Sequence, residues 1–380
     1  MDSSSTPRFF RLAVPFTGID APGEAIRQAR WDHELTNAFE IDAAACRCLT
    51  SRIGRLVEPR DIMKVQNSEI EKSDGAFFGS PCQHVSPLGA RKGMEDTERF
   101  GPTMKALEMC KTLDEIGPLL WVVLENSVHI KDARQSGNVF DAMQAWWKSE
   151  MPHWLPFSSW DIDASSFAPH SRLRTFLVST PRALKNTLDA SSSKSKDGLP
   201  MDPPALPTSR PPVQDFLDHV DFGPDDSALT LKMVANREAW RKVFVEGKKD
   251  HSLGFCPLDR SPYNTYNALM TYDTAPVFTR QNHTIMIYGK DGAPEAPPSG
   301  RLLKASERAK LMGFCPDSLR TTLSESQMVK AVGNSICVPV AKCVLAHVLG
   351  YINQCIDKWE RLPPTMRPMP LKSAAKKHKK

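Results

Sequence analysis

Four short segments of this chain run into, or follow, side chains able to do covalent or proton-transfer chemistry. Leu12-Ala13-Val14-Pro15-Phe16 runs into Thr17-Gly18-Ile19-Asp20, and Gly75-Ala76-Phe77-Phe78 into Gly79-Ser80-Pro81-Cys82-Gln83. Leu119-Leu120-Trp121-Val122-Val123-Leu124 ends in Glu125-Asn126, and Arg172-Leu173-Arg174 precedes Thr175-Phe176-Leu177-Val178. Each apolar run has the length of a buried strand. In an open parallel sheet, ligands bind beyond the carboxyl ends of the strands. A thiol, a carboxylic acid and two guanidiniums can then converge on one edge, supplying a nucleophile, a proton donor and cationic hydrogen-bond donors. Singly, each has an ordinary explanation. A cysteine after a strand is usually a small buried hydrophobe, Glu-Asn often caps a helix, and Arg-x-Arg often charges an exposed edge. The combination, in this order, asks for more.

The elements that must position these groups fall into three textures. From Arg8 to about Thr180, apolar runs alternate with helical patterns, which predicts an α/β fold with a parallel sheet. A helix is predicted to open with Pro102 in its first turn and to close before Gly117-Pro118. From Pro181 to about Gly300 loop signals dominate. Ser191 to Pro212 reads as flexible, and a short charged helix is predicted around Ala228–Val245. The last region carries a helix from Leu303 that stops at Gly313, then an apolar helix over Val338–Ile352 with Pro339 in its first turn. No internal repeat is present. Composition narrows the class. A 41% apolar share over 380 residues supports a sizeable core. Neither a secretory signal nor a run long enough for a bilayer stands out. Nine cysteines without metal-type pairs fit a reducing compartment and predict no metal. Much of the +5 net charge sits in the tail Lys372–Lys380, which suits phosphate contact, nuclear import or a solvated tail equally.

The order of these segments resembles the cytosine-C5 DNA methyltransferase family. Gly79 to Gly89 resembles the family's Pro-Cys-Gln motif, with Asp96-Thr97-Glu98-Arg99 as its tail. Leu124-Glu125-Asn126-Ser127-Val128 resembles the Glu-Asn-Val motif, and His170-Ser171-Arg172-Leu173-Arg174 the Gln-x-Arg-x-Arg motif. Leu303 to Phe314 resembles the motif ending in Gln-Gly-Phe-Pro, and Val332-Gly333-Asn334-Ser335 the closing Gly-Asn-Ser motif. The match spans roughly Phe16 to Val348.

The resemblance implies a Rossmann-like methyltransferase sheet with helices on both faces, plus a smaller, loop-rich target-recognition domain. The corresponding boundaries are 8–180 for the catalytic part and 181–302 for target recognition, with a disordered insert near 189–212. Residues 303–362 return to the catalytic part, and 363–380 form a basic tail. The resemblance also implies roles. Cys82 adds to carbon 6 of cytosine. Glu125 protonates or hydrogen-bonds ring nitrogen 3, a role that favours a raised pKa. Arg172 holds the cytosine carbonyl oxygen, Arg174 supports the pocket and Asn126 orients Glu125. S-adenosylmethionine is the implied methyl donor, met by Phe16, Gly18, Ile19, Glu40, Asp61, Ile62, Pro81, Asn334 and Ser335. The target base is flipped from double-stranded DNA, and Gln83 to Phe100 form a closing loop whose Arg91, Lys92 and Arg99 suit phosphates. The implied protein is a monomer with no membrane role, in the nucleus if eukaryotic and otherwise cytoplasmic.

Some positions depart from the family pattern. Asp20 stands where the family usually has a second Gly, which bears on donor affinity. His170 replaces a Gln, Lys304 a helix-capping Thr and Met312 another Gln. A tRNA cytosine-C5 methyltransferase is the main alternative, but its Cys-Phe-Thr run is matched only by Val277-Phe278-Thr279. A catalytically weak DNA-binding homologue is a second alternative. A nucleotide-binding oxidoreductase is a third, and its Gly-x-Gly-x-x-Gly turn is absent.

Overall fold

The computed structural model describes residues 9–82, 85, 97–132, 138–189, 201–218, 229–246, 252–259, 261–263, 270–276, 278, 284–289 and 299–361. Gln83, Arg91, Lys92, the side chain of Arg99, residues 191–200 and the tail 363–380 lie outside the described residues. Contacts divide the chain into two compact units, one of residues 1–162, 173–205 and 340–380, the other of 163–172 and 206–339.

The first unit is built on apolar strands too continuous to face water. β1 (Phe10–Pro15), β2 (His33–Phe39), β3 (Gly75–Gly79) and β4 (Trp121–Ser127) are parallel neighbours in the order β2-β1-β3-β4. Every residue of β4 is buried, as a strand covered on both faces requires. The helices α1 (Ala21–Ala29), α2 (Ala43–Ile53) and α3 (Thr97–Ile116) supply the crossovers. α3 starts a turn and more before the predicted opening, so Pro102 sits inside it and removes one intrahelical bond. The sheet is not wholly parallel. After α4 (Val139–Glu150), β5 (Ser158–Asp163) takes the edge, and β6 (Leu173–Ser179) runs antiparallel to β4. The link 164–172 between them is too short for a crossover helix, which needs a dozen or more residues. α5 (Arg182–Asp189) follows. The core beneath this sheet includes Phe78, Leu107, Leu124, Trp147, Trp154 and Leu177.

Two expectations change here. Residues 201–205, expected inside a disordered insert, are strapped to this unit. The Met201 carbonyl accepts from Trp160 Nε1 (3.3 Å) and Ser158 Oγ (3.5 Å), and the His347 ring lies 2.9 Å from the Asp202 carbonyl. Backbone carbonyls made this contact, and side-chain composition does not report them. Secondly, Glu325–Lys358 is long and apolar enough to cross a membrane by composition, which the sequence reading overlooked. A little over half of its apolar window (56%) is buried in the fold. The stretch is also broken at 335–337, between α9 (Glu325–Asn334) and α10 (Val338–Arg361).

The second unit holds regular structure that the sequence texture hid. α6 (Leu231–Glu246) packs on a four-stranded antiparallel sheet of order β10-β9-β7-β8. Its strands are β7 (Leu253–Pro257), β8 (Thr271–Tyr272), β9 (Ile285–Gly289) and β10 (Ser299–Leu302). With two to five residues each, none is long enough to display alternation. Trp240, Phe244, Cys256, Met286 and Tyr288 form its core, with Phe244 stacked on Tyr288 at 5.8 Å. α7 (Ala305–Leu311), α8 (Pro316–Arg320) and α9 belong to this unit by contact, so the boundary expected at 302/303 falls elsewhere. The cause is a buried ion pair. Arg301 of β10 donates to Glu307 of α7 at 2.6 and 2.9 Å, and Glu307 also accepts the Lys304 N–H at 2.9 Å. That last bond caps α7 where the family's Thr is replaced by lysine.

Candidate active site

The register of β3 on β4 sets the centre of the site, because Gly79 lies opposite Glu125. The chain leaving β3 is latched to β4 at its next residue. Ser80 N–H donates to the Glu125 carbonyl (3.3 Å), and Asn126 Nδ2 donates to Ser80 Oγ (2.7 Å). The other end of the Asn126 amide accepts the Ser127 N–H at 2.7 Å, which fixes its orientation. Asn126 is buried. Cys82 sits two residues beyond this latch, half-buried against the core of the first unit. Asn126, expected to orient Glu125, bonds to the cysteine loop and to its own turn. Ser80 gave no sign of this part in the sequence, where a serine beside a motif is unremarkable.

Glu125 is buried, and Arg174 Nε lies 3.1 Å from its Oε1. In the β4–β6 ladder Arg174 opposes Ser127 and Phe176 opposes Glu125, so Glu125 and Arg174 are diagonal neighbours on one face. The contact is an ion pair and not an aligned hydrogen bond. Among the described residues, that buried carboxylate oxygen has no hydrogen-bond partner. A buried acceptor left in this way marks a place for a ligand donor.

Arg172, expected to hold the cytosine carbonyl oxygen, is anchored by main-chain contacts. It belongs to the second unit, is buried, and its guanidinium donates to three main-chain carbonyls: Phe278 (2.6 Å), Ser335 (2.8 Å) and Gly333 (3.2 Å). Its terminal nitrogens are thus committed to holding chain segments together, whereas the guanidinium paired with Glu125 is that of Arg174.

His170 is fully buried, with its ring 5.6 Å from that of Phe278. Burial first, and the Arg172 charge second, push its pKa down to about 4. The folded state holds it neutral, and the unfolded chain protonates it near its ordinary value of 6.5. Stability from this group is therefore complete above pH 6.5 and is lost as pH falls from there towards 4. The full loss is on the order of 3 kcal/mol. Urea midpoints measured from pH 7.5 to 4.5 should fall more steeply for the wild type than for His170→Gln. Parallel curves would show that His170 is not the group responsible.

Of the residues expected to meet the donor, Phe16, Gly18 and Ile19 follow β1 and Glu40 follows β2. Phe16 and Gly18 adopt φ of 60° and 55°, and Gly18 has open space where a Cβ would project. Glu40 gathers the loop, since its carboxylate accepts the N–H groups of Gly18 (2.7 Å), Ile41 (2.8 Å) and Asp42 (2.8 Å). Asp61 accepts from the Met63 N–H at 3.0 Å. The side chains of Ile19 and Ile62 are buried, Ile62 within the core cluster, so only their backbones are free to line a site. Pro81 is half-buried. Asn334 is exposed and Ser335 half-buried at the end of α9, in the second unit. Asp20, the departure from the family pattern, caps α1. Its carboxylate accepts the Gly23 N–H at 2.8 Å and pairs with Arg27.

The family model described as C-5 cytosine-specific DNA methylase matches residues 16–349. The chain belongs to that family. Among curated relatives, the type II methyltransferase M.NlaX of Neisseria lactamica is 23% identical, covering 92% of this chain and 99% of its own length. The orphan methyltransferase M.SPRI of Bacillus phage SPR is 34% identical over 89 residues, so this chain spans about a fifth of that relative's length. In fold the chain resembles S. pombe Dnmt2 methyltransferase, with a TM-score of 0.60 and 15% identity over 91% of this chain and all of that one. It also resembles a putative DNA modification methyltransferase from an E. coli prophage, with a TM-score of 0.53 and 17% identity over 91% and 99% of the two chains.

Proposed function

We propose that the protein transfers a methyl group from S-adenosylmethionine to carbon 5 of cytosine in DNA. The observation that carries this reading is the latch that sets the Cys82 loop on the strand bearing a buried, incompletely bonded Glu125. Cys82 as thiolate adds to carbon 6. Glu125 donates a proton or hydrogen bond to ring nitrogen 3, drawing charge out of the ring as Cys82 adds and leaving an enamine that is nucleophilic at carbon 5. Arg174, beside Glu125 and above the same sheet edge, takes the role of carbonyl clamp that the resemblance implied for Arg172. After transfer a base, for which a water molecule suffices, takes the carbon 5 proton, and the electrons of that bond re-form the carbon 5–carbon 6 double bond as Cys82 leaves carbon 6 as thiolate. The base reaches this site only by flipping, which costs about a few kcal/mol.

The donor loop fits S-adenosylmethionine. Gly18 leaves a backbone edge open, and Glu40, with three N–H groups bound, keeps acceptor capacity for about one more donor such as a ribose hydroxyl. Phe16, Gly18, Glu40 and Asp61 would hold the donor. When bound, it supplies an electrophilic methyl group on sulfonium. The family description supports DNA as the substrate. Incubation with tritiated donor and either duplex DNA or tRNA tests this. Label should enter DNA, and label in tRNA alone would overturn the assignment. Wild-type protein that binds donor but forms no adduct on 5-fluorocytosine DNA would instead be a binding module.

A further inference from the structure

The loop between β1 and α1 holds three of its residues in the left-handed region: Phe16 at φ 60°, Gly18 at 55° and Asp20 at 61°. Such angles are costly for residues other than glycine, at about 1–2 kcal/mol each. They persist only where the surroundings over-determine them. At Phe16 and Gly18 those surroundings are main-chain bonds and Glu40: Thr17 N–H donates to the Phe39 carbonyl (3.0 Å), and Gly18 N–H to Glu40. At Asp20 two main-chain bonds act, its N–H donating to the Thr17 carbonyl (2.8 Å) and its carbonyl accepting the Glu24 N–H (2.9 Å), and its own side chain adds a further restraint. One carboxylate oxygen accepts the Gly23 N–H, and the other accepts both terminal nitrogens of Arg27 at 3.2 Å.

Asp20 and Gly23 are a matched pair. A Cβ at residue 23 would overlap the Asp20 carboxylate, so this cap exists only with glycine there. Arg27 in turn is shared. It pairs with Glu24 at 3.4 Å, and Glu24 pairs with Arg52 of α2. The result is a ladder of alternating charge, Asp20, Arg27, Glu24 and Arg52, running from the loop onto two helices. The Asp20 side chain is only 1% exposed, so without Arg27 a buried carboxylate would keep one backbone bond and no counter-charge. The local escape is rotation of Asp20 out of the cap, and that rotation leaves the left-handed backbone at Asp20 with its two main-chain bonds alone, a weaker hold on the donor loop.

We infer that Arg27 is a positioning residue for the methyl donor, acting through Asp20, and that this ladder replaces the second glycine of the family's donor loop. The inference rests on the donor assignment proposed above. It makes donor affinity depend on a side chain on the far side of the loop's cap. Arg27→Gln should weaken binding of S-adenosylhomocysteine, measured by calorimetry on protein freed of donor, by about ten-fold, with the donor KM rising in parallel. The kcat at saturating donor and the KM for DNA should stay within about two-fold. Arg27→Lys, which restores the charge, should recover most of the affinity. Asp20→Asn keeps the acceptor for Gly23 but loses the charge, so it should match Arg27→Gln, and the double variant should be no worse than either single one. Arg27→Gln that folds and binds as tightly as wild type would overturn the inference. Additive losses in the double variant would overturn it as well. Wild-type protein that binds neither S-adenosylhomocysteine nor S-adenosylmethionine would overturn the donor assignment itself.

Discussion

Cys82→Ala is expected to lower methyl transfer by about ten-thousand-fold or more while leaving fold and donor binding in place, because removing a covalent nucleophile removes the reaction path itself. The structure makes the comparison clean. Cys82 is only half-buried, and its loop is latched to β4 through Ser80 and Asn126. Truncation should therefore cost little stability, roughly 1 kcal/mol or less. Two readouts separate the nucleophile from a packing residue. Wild-type protein should form a complex with 5-fluorocytosine duplex DNA that survives denaturing electrophoresis, because the fluorine blocks release of the adduct. Cys82→Ala should form none, although it still shifts the DNA under native conditions. Cys82→Ser tests the thiolate. An alcohol is far harder to ionise than a thiol of pKa about 8.5, so serine should restore almost nothing. A serine variant turning over near the wild-type rate would remove Cys82 from the mechanism.

The same loop shows what a sequence exposes and what it conceals. Cys82 and Glu125 were legible because each follows an apolar run, and the ends of neighbouring parallel strands meet at one edge. The two arginines were not separable in this way. Arg172 and Arg174 are two residues apart, and nothing in their spacing says which joins the carboxylate. That choice is made by the antiparallel register of β6 on β4, which places Arg174 diagonally from Glu125. It is also made by three carbonyls, from segments more than a hundred residues away, that occupy Arg172. Asp20 was visible as a departure from the family pattern, but its consequence was hidden, because the Arg27 partnership needs Asp20 left-handed and seated as a cap. The small sheet of the second unit was hidden for another reason. Its strands are too short for a period to register, and their order in space is set by backbone pairing that no side-chain pattern reports.

That choice between the arginines sets up the second large effect. Glu125→Gln is expected to reduce kcat by about a hundred- to ten-thousand-fold, the usual worth of a positioned general acid, with DNA affinity little changed. Glutamine is the informative substitute because it keeps the shape and, through its amide N–H, can still donate a hydrogen bond to ring nitrogen 3. What it lacks is a proton to give and a charge to pair with Arg174. If hydrogen bonding alone activates the ring, Glu125→Gln should retain activity within about ten-fold of wild type, and the acid role falls. If proton donation is required, adduct formation on 5-fluorocytosine DNA should slow as much as turnover does. The ion pair gives a further check. Arg174→Gln leaves a buried carboxylate without its cation, so the single variant should lose activity and some stability. Combined with Glu125→Gln, the second substitution should cost much less than it does alone, since no buried charge is left to expose. Full additivity would mean that Arg174 meets the base independently of Glu125, so the coupling energy of this pair measures how far acid and clamp work as one unit.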